Sequence, residues 1–461
     1  MIRKHVALVA ATGLVTLIGC PPAAAITRPE VDAQVAPPPG TAGPVQPMMQ
    51  NSACGTTGVL PGSDPGAPSP NQLALNLSGA WQHSRGEGQT VAVIDTGVHP
   101  GPRLPNVEPG GDFIESTDGL TDCDGHGTSV AGLIAGQPGP DGFSGVAPAA
   151  RLISIRQNSP RFAPRTPGTD AVEGRVAADV ASLARAVVRA ADMGARVINI
   201  SVVTCLPADK PIDQNELGAA LRYAAVEKDA VIVAAAGNTS GGVTTGSACQ
   251  NNPLSNASTP SDPRNWGAVG TVSIPSWWQP YVLSVGSLTA NGQPSSFTMA
   301  GPWVGIAAPG ENITSVSNAP DGGLSNAMTS DRDKLVPLNG TSYAAAYVSG
   351  VAALVRSKYP DLSARQVVHR LTATAQGASR NPSNIIGAGG VDPVAALTWD
   401  VSDVPVDGPD APKGKPIAAP PEPIPPDHTP RNVAFAGTGL LALAVIAWAC
   451  YGAYRRKDKT T

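Results

Sequence analysis

Charged side chains are scarce in this chain of 461 residues, where Asp, Glu, Lys and Arg together make up 14% and the formal net charge is −4. A protein that binds nucleic acid needs concentrated positive charge against the phosphates, so we expect no nucleic-acid partner. Hydrophobic residues make up 42%, which is enough for a sizeable core. The length allows one large domain or two ordinary ones.

Cysteine is also rare, with six in the whole chain and no Cys-x-x-Cys pair among them. The missing pair argues against a zinc site, and we expect neither a metal nor a cofactor. The apolar segments at the two ends hold one cysteine each, and four lie between them: Cys54, Cys123, Cys205 and Cys249. In an exported protein an even set predicts two disulfides. Four cysteines allow three pairings, and proximity in sequence favours Cys54–Cys123 and Cys205–Cys249.

The N-terminal segment has the pattern of a secretory signal. The basic start "MIRK" precedes an apolar run and then the small residues of "PPAAAI". This pattern predicts a signal peptide at residues 1–25 that is cleaved after Ala25. The alternative is lipoprotein processing, because "LIGC" resembles a lipobox that ends at Cys20. Both interpretations imply export.

The C-terminal segment has the pattern of a membrane anchor. Val433 to Tyr454 carries no formal charge and has about the length that an α-helix needs to cross a bilayer. The basic sequence "RRKDK" follows directly, so the positive-inside rule predicts that the tail 455–461 is cytoplasmic. We therefore expect a single transmembrane helix at 431–454 in the cell membrane, with the rest of the chain on the outer side. A buried core helix is the alternative.

Three regions between these ends differ in composition. Residues 26–70, rich in Pro, Gly and Ala, are predicted to form an extended arm, and residues 403–430 a stiff Pro-rich linker. Residues 71–402 alternate short Val- and Ile-rich runs, such as "TVAVIDTG" and "AVIVAAAGN", with helical patterns such as "VASLARAVVRAADMG". This alternation predicts an α/β domain in which helices cover both faces of a mainly parallel sheet.

Four polar residues stand beyond predicted strand ends or at predicted helix starts, where such sheets gather their functional groups. Asp95 ends the run "TVAVID", and Asn238 follows "VIVAAAG". His126 lies in "DGHGTSV", and Ser342 lies in "NGTSYA" directly before an apolar helix. Each alone has an ordinary structural explanation, such as a helix cap or a tight turn. Together, a carboxylate, an imidazole and a hydroxyl are the residue types of nucleophilic catalysis.

The segments "VIDTGV", "DGHGTSVAG", "AAAGN" and "NGTSYA" resemble, in this order, the signature segments of subtilisin-like serine proteases. The resemblance implies the subtilisin-like fold and an endopeptidase that cleaves protein or peptide substrates. It assigns Ser342 as the nucleophile, His126 as the general base and Asp95 as the residue that orients the imidazole. Asn238 and the backbone N–H of Ser342 are implied to stabilise the oxyanion.

Some features depart from that family's pattern. The substrate-binding segment reads "NISVVTC", so Val203 and Thr204 stand where relatives have glycines, which predicts a narrow or selective groove. The loop "AGQPGPDGFSGVAP" lacks the asparagine-rich sequence that holds calcium in many subtilisins, so no calcium site is expected. The stretch before Asp95 is short for the folded prodomain of those relatives, so we expect none.

Over nearly its whole length the chain resembles the mycosins, which are membrane-anchored subtilisin-like proteases of the type VII secretion systems of actinobacteria. Segments such as "SRGEGQTVAVIDTGV", "STDGLTDCDGHGT" and "TPRNVAFAG" are most similar to the third mycosin group. The resemblance implies an extracytoplasmic catalytic domain that cleaves a narrow set of secreted proteins, with subunits of a membrane secretion complex as partners. The alternative function is a mainly structural subunit of that complex.

Residues 157–178 are predicted to form a loop of about 22 residues, which exceeds the usual length of a connection. The loop carries Arg161, Arg165 and Arg175 together with three prolines. One interpretation is that it docks on a neighbouring secretion subunit. The other is a tolerated surface insertion.

Overall fold

The computed structural model describes residues 26–166, 171–210, 212–240, 244–246, 248–255, 261–329, 334–378, 382–402 and 429–457. The chain divides into two compact units, Met1–Pro405 and Val406–Thr461. The predicted signal peptide and residues 403–428 of the predicted linker lie outside the described residues. The domain boundaries expected from the sequence therefore stay predictions.

The helices in the described part of the chain are α1 Pro70–Ala74, α2 Leu77–Ala80, α3 His126–Ala135, α4 Ala171–Asp192, α5 Asn215–Arg222, α6 Thr341–Lys358, α7 Ala364–Ala373, α8 Pro393–Thr398 and α9 Thr429–Lys457. The chain continues from α5 into a π-helical turn, Tyr223–Glu227, and Trp266–Ala268 form a 3₁₀ turn.

The strands in the same part of the chain are β1 Met48–Gln50, β2 Thr90–Asp95, β3 Val107–Asp112, β4 Arg151–Arg156, β5 Phe162–Pro164, β6 Val197–Ile200, β7 Val203–Pro207, β8 Val231–Ala235, β9 Thr244–Gly246, β10 Thr271–Ile274, β11 Val282–Leu288, β12 Val304–Pro309, β13 Ser315–Val316, β14 Leu324–Ser325, β15 Ala327–Thr329, β16 Leu335–Pro337, β17 Gln376–Gly377 and β18 Gly389–Gly390.

The central sheet of the described residues has the strand order β17-β18-β12-β11-β8-β6-β2-β4-β3. All its neighbouring strands are parallel except β17 and β18 at one edge. Helices α3 and α6 pack against each other as one layer, and α4 and α5 form another. Every residue of β2 is buried. Because the strand is covered on both faces, its sequence is mostly apolar and lacks the alternation of a half-exposed strand. The α/β architecture expected from the sequence is confirmed.

The strand order reverses beside β2. From β2 the chain passes to β3 and β4 on one side of it, and then crosses to β6, β8, β11 and β12 on the other side. In open α/β sheets such a reversal leaves a crevice at the carboxyl ends of the strands, and sites form there. Helix α6, buried from Thr341 to Arg356, begins at this crevice and runs through the core.

The prediction of a loop over the whole of residues 157–178 is wrong in its length. Helix α4 begins at Ala171, so the last part of that stretch is helical, and residues 167–170 lie outside the described part of the chain. The sequence "AVEGRVAAD" mixes alanine with charges and a glycine, so its helical periodicity is weak. The loop is also not free of regular structure, because β5 pairs antiparallel with β1 of the arm.

The second unit contains the C-terminal helix α9. Within it, Arg431–Gly452 has a mean hydropathy of 2.1 and is the one stretch of the described residues that is long and apolar enough to cross a membrane. The helix extends past the expected end of the anchor into the basic residues, up to Lys457.

Candidate active site

Asp95 and His126 meet at the carboxyl end of the central sheet. Asp95 is the last residue of β2, and His126 is the first residue of α3. The imidazole Nδ1 lies 2.6 Å from Asp95 Oδ1, and both side chains are buried. The backbone N–H of Thr96 donates to the same oxygen at 2.7 Å. A carboxylate at Nδ1 keeps the proton on that nitrogen and leaves Nε2 as an acceptor.

Ser342 completes this arrangement from the start of α6. It is the second residue of the helix, and its Oγ lies 3.0 Å from His126 Nε2. The first backbone N–H groups of a helix have no partner within it, and the positive end of the helix dipole lies beside them. A hydroxyl within reach of a neutral imidazole can lose its proton as it attacks an electrophile. The geometry therefore fits a nucleophile with its general base.

Asn238 follows β8 and contacts the start of α6. Its Oδ1 accepts hydrogen bonds from the backbone N–H and the hydroxyl of Thr341, each at 3.0 Å. These bonds leave Nδ2 as the end of the carboxamide that can donate to a bound substrate. A Cβ atom added to Gly340 would lie 3.6 Å from this Nδ2 and 2.9 Å from Ser342 Oγ. Glycine therefore keeps the space between donor and nucleophile open.

Thr341 and Gly340 are two site residues that sequence reasoning missed, although both stand in the "NGTSYA" segment. Asp122 is a third, in the segment "TDCDGHG". The signal was present in each case as a polar residue or a glycine beside an assigned residue. What the side chain contacts could not be read from that position.

Three buried carboxylates surround the imidazole: Asp95, Asp122 and Asp124. Burial lowers the pKa of His126, but the negative charges outweigh it, and the pKa lies above its ordinary value. Burial also raises the pKa of Asp122, and it raises the pKa of Asp124 to about 6. Because only a neutral imidazole accepts a proton, we expect acid to inactivate this site at a higher pH than it would with an ordinary histidine.

Both disulfides that sequence proximity favoured are present. Cys54–Cys123 joins the arm to the loop that leads into His126, and the N–H of Gly55 donates to the carbonyl of Cys123 at 2.9 Å. Cys205–Cys249 joins β7 to a segment beyond Asn238. Proximity favoured these pairings but did not exclude the other two, because each bond joins segments that only the fold brings together.

The arginines considered for docking mostly contact their own chain. Arg161 donates to the carbonyl of Ala53 in the arm and lies 3.4 Å from Asp124. Arg175 lies within α4, where its Nε is 3.3 Å from Asp179. Arg165 is exposed. Of the three, Arg165 is therefore the residue best placed to meet a partner.

Val203 and Thr204, which stand where subtilisins have glycines, belong to β7. Both residues are buried, and Val203 packs in the main hydrophobic core. Thr204 is paired with Ile274 of β10. These contacts do not measure the groove, so its narrowness stays a prediction.

An arginine organises the loop that lacks the calcium-type sequence. Arg103 donates from Nε to the carbonyl of Gln137 at 2.6 Å and from Nη2 to the carbonyl of Phe143 at 3.0 Å. Its two terminal nitrogens donate to the carboxylate of Asp141 at 2.7 and 3.1 Å. In the described part of the chain, no cluster of three or more His, Cys, Asp or Glu side chains could hold a metal ion.

A sequence profile of the subtilase family matches residues 86–389, a range that contains Asp95, His126, Asn238 and Ser342. The chain belongs to the subtilase family. This subtilase is a serine endopeptidase of the subtilisin type, in agreement with the Asp–His–Ser geometry at the end of its sheet.

Individual relatives place this subtilase among the mycosins. Mycosin-3 of Mycobacterium tuberculosis is 64% identical over 445 residues, which are 96% of this chain and 96% of the relative. A solved structure of MycP3 protease from the type VII (ESX-3) secretion system is 81% identical with a TM-score of 0.79, and the match covers 81% of this chain and 100% of that one. A chain in the structure of an intact ESX-5 inner membrane complex is 47% identical with a TM-score of 0.79, over 93% of this chain and 99% of that one. The family expected from the sequence is confirmed.

Proposed function

We propose that this subtilase cleaves peptide bonds through the triad Asp95, His126 and Ser342, with Asn238 as an oxyanion donor. The observation that carries the proposal is the continuous contact from Asp95 Oδ1 to His126 Nδ1 at 2.6 Å and from His126 Nε2 to Ser342 Oγ at 3.0 Å. All three side chains are buried, so water does not compete for these contacts.

In this mechanism Ser342 Oγ attacks the carbonyl carbon of the scissile bond while His126 Nε2 takes the hydroxyl proton. Asp95 accepts from Nδ1–H throughout and stabilises the imidazolium that forms. Asn238 Nδ2 and the backbone N–H of Ser342 donate to the oxyanion of the tetrahedral intermediate. The imidazolium then gives its proton to the leaving amine, and a water molecule, activated by the same base, hydrolyses the acyl-enzyme.

A fluorophosphonate probe tests the triad directly. The full chain in detergent should be labelled at Ser342, and peptide mapping by mass spectrometry should locate the label there. Ser342→Ala, with unchanged thermal unfolding, should take no label. A folded wild-type protein that the probe leaves unmodified would refute the proposal.

The protease is anchored in the cell membrane by α9, with the catalytic unit outside and the tail inside. The apolar stretch Arg431–Gly452 and the basic residues that follow it support this orientation.

The partners of the protease are subunits of a type VII secretion complex, since a relative that matches 93% of this chain is part of an ESX-5 inner membrane complex. The substrates are secreted proteins that reach the catalytic unit there.

A second role, that of a stabilising subunit of the secretion complex, is supported by the same relative. An anchor raises the effective concentration of the catalytic unit near its partner, so a weak contact is sufficient. Ser342→Ala should then co-purify with the membrane complex as wild type does. If the loop after β5 contacts the complex, Arg165→Glu should reduce co-purification. If the protein acts only as a protease, Arg165→Glu should co-purify as wild type does, and only Ser342→Ala should lose cleavage.

A further inference from the structure

Asp122 is buried beside the proposed catalytic pair without belonging to it. It lies four residues before His126 in the loop "DCDGHG", and it is 7% exposed. The triad mechanism gives this carboxylate no chemical step. A buried carboxylate is costly unless it is well satisfied, so its contacts indicate what it does.

The Asp122 carboxylate accepts five hydrogen bonds, three from backbone N–H groups and two from hydroxyls. Oδ1 accepts from the hydroxyl of Thr96 at 2.9 Å and from the backbone N–H groups of Asp124 and Gly125 at 3.1 and 2.8 Å. Oδ2 accepts from the N–H and the hydroxyl of Thr128 at 2.8 and 2.6 Å. Five donors around one side chain fit the ionised form, which can only accept.

The two threonines join the two segments that carry the catalytic pair. Thr96 directly follows the aspartate of the triad, and its hydroxyl oxygen also accepts from the N–H of Gly127 in α3 at 2.9 Å. Thr128 belongs to α3, and its hydroxyl oxygen accepts from the N–H of His99 in the segment after β2 at 2.9 Å. Each threonine therefore connects the segment after β2 with the start of α3, and both are held by Asp122.

The two segments are in direct contact at this point. A Cβ atom added to Gly127 would overlap the carbonyl oxygen of Gly97, so the backbones have no space between them. A change in the bonds that hold them together therefore shifts one segment relative to the other. Asp95 and His126, one on each segment, would move with them.

We infer that Asp122 is a positioning residue for the catalytic pair: its carboxylate holds the segment after β2 against the start of α3 and so brings His126 onto Asp95. The inference rests on the proposed triad and adds to it a residue that contacts neither the substrate nor the reacting atoms.

Asp122→Asn is the variant that tests this inference. The carboxamide has the shape of the carboxylate, but its NH₂ must face backbone N–H groups, either that of Thr128 or those of Asp124 and Gly125. At least one buried N–H then loses its partner. With a fluorophosphonate probe, we expect the maximal inactivation rate constant (kinact) to fall about 10- to 100-fold, because reacting groups are misplaced, and the half-saturating probe concentration (KI) to change less than about twofold.

Asp124→Asn is the matched control. Asp124 is also a carboxylate beside the imidazole. Its side chain accepts from the hydroxyl of Ser159 at 2.6 Å and lies 3.4 Å from Arg161, and neither contact involves the segment after β2. We expect kinact of Asp124→Asn at the pH plateau to stay within about threefold of wild type, since the network around Asp122 is intact.

The pH dependence separates charge from position. The ionisable groups that face the imidazole come from β2, its own loop and α6: Asp95, Asp122, Asp124 and Tyr343. Arg161 is the cation of this region and lies 3.4 Å from Asp124. Both Asp→Asn variants remove a negative charge that raises the pKa of His126, so both should move the acid limb of kinact/KI to lower pH. A loss of plateau rate in Asp122→Asn but not in Asp124→Asn reports the positioning role. Equal plateaus in the two folded variants would overturn the inference.

A second pair of variants covers the case in which Asp122→Asn does not fold. Thr96→Val removes the hydroxyl that contacts both Asp122 and Gly127, whereas Thr96→Ser keeps it. We expect Thr96→Val to lower kinact about tenfold and Thr96→Ser to restore at least a third of the wild-type rate, because one hydroxyl oxygen makes both bonds. If valine is as active as serine, Asp122 does not act through this network.

A spectroscopic measurement distinguishes failure of this inference from failure of the proposed triad. The Nδ1 proton of His126, shared with Asp95, should give a low-field proton NMR resonance in the full chain in detergent. Ser342→Ala should keep that resonance, while Asp122→Asn and Thr96→Val should shift or lose it. If the probe never labels wild-type protein but the resonance responds in this way, the triad proposal fails and the positioning role stands. A resonance that is unchanged in both network variants refutes the positioning role.

Discussion

Arg103→Ala should destabilise the catalytic unit much more than the removal of another arginine, Arg151, whose ion pair is slightly shorter, 2.6 against 2.7 Å, but more exposed. The Arg103 guanidinium makes four hydrogen bonds to the loop after α3, two to carbonyls and two to the carboxylate of Asp141. It also lies over the ring of Phe143, with 5.4 Å to the ring centroid. The arginine side chain is 14% exposed and that of Asp141 is 23% exposed. One side chain thus ties together three residues of this loop.

The expected size of the effect follows from these contacts. A hydrogen bond to a charged group contributes about 1.5–3 kcal/mol, and the loss of one partner of a partly buried pair also leaves a charge behind. Because both side chains are partly exposed, water can replace part of these interactions, so we expect a loss of about 2–4 kcal/mol in the free energy of unfolding. Arg151 is the control, because its Nη1 lies 2.6 Å from Glu108 but the side chains are 60% and 46% exposed. Arg151→Ala should cost less than about 1 kcal/mol.

Urea unfolding of both variants in the Ser342→Ala background, which prevents self-cleavage, measures the difference. The loop should also become the first site of limited proteolysis in Arg103→Ala. The hydrogen bond from Arg103 holds the pKa of Asp141 below its ordinary value. The stability that this interaction contributes is present above the unfolded pKa of Asp, about 4, and is lost as the pH falls through the folded pKa. In acid, the Arg103→Ala variant and the parent protein with Arg103 should therefore converge in stability. Equal losses in the Arg103 and Arg151 variants would refute this reasoning.

Three further predictions concern the site, the disulfides and the membrane. Asn238→Ala should slow hydrolysis of p-nitrophenyl acetate by about 10²–10³, the loss known for the oxyanion asparagine of subtilisin, and an unchanged rate would remove its role. Replacing Cys205 and Cys249 by serine should lower the free energy of unfolding by about 4 kcal/mol, measured in urea; no loss would contradict this loop-closure estimate. Protease added to intact spheroplasts should spare a tag on the tail 455–461, and digestion of the tag would reverse the topology.

The sequence alone determined the features of this protein that depend on local pattern. The apolar C-terminal run and the Val-rich strands could be recognised because hydrophobic burial acts on each segment separately. Asp95, His126, Asn238 and Ser342 could be predicted as candidates, because nucleophilic catalysis requires such residue types and because strand ends or helix starts present them. The family resemblance then ordered them into one site.

Only the tertiary structure decided which distant segments meet. Three cysteine pairings were open from the residues alone, and the pairing of β1 with β5 has no signature in either segment. The length of the loop before α4 was overestimated, since alanine-rich, charged sequence marks a helix start weakly. Asp122 and Arg103 look in the sequence like ordinary charged loop residues. Their roles arise from donors and acceptors that converge only in the folded chain, and a linear pattern does not record that convergence.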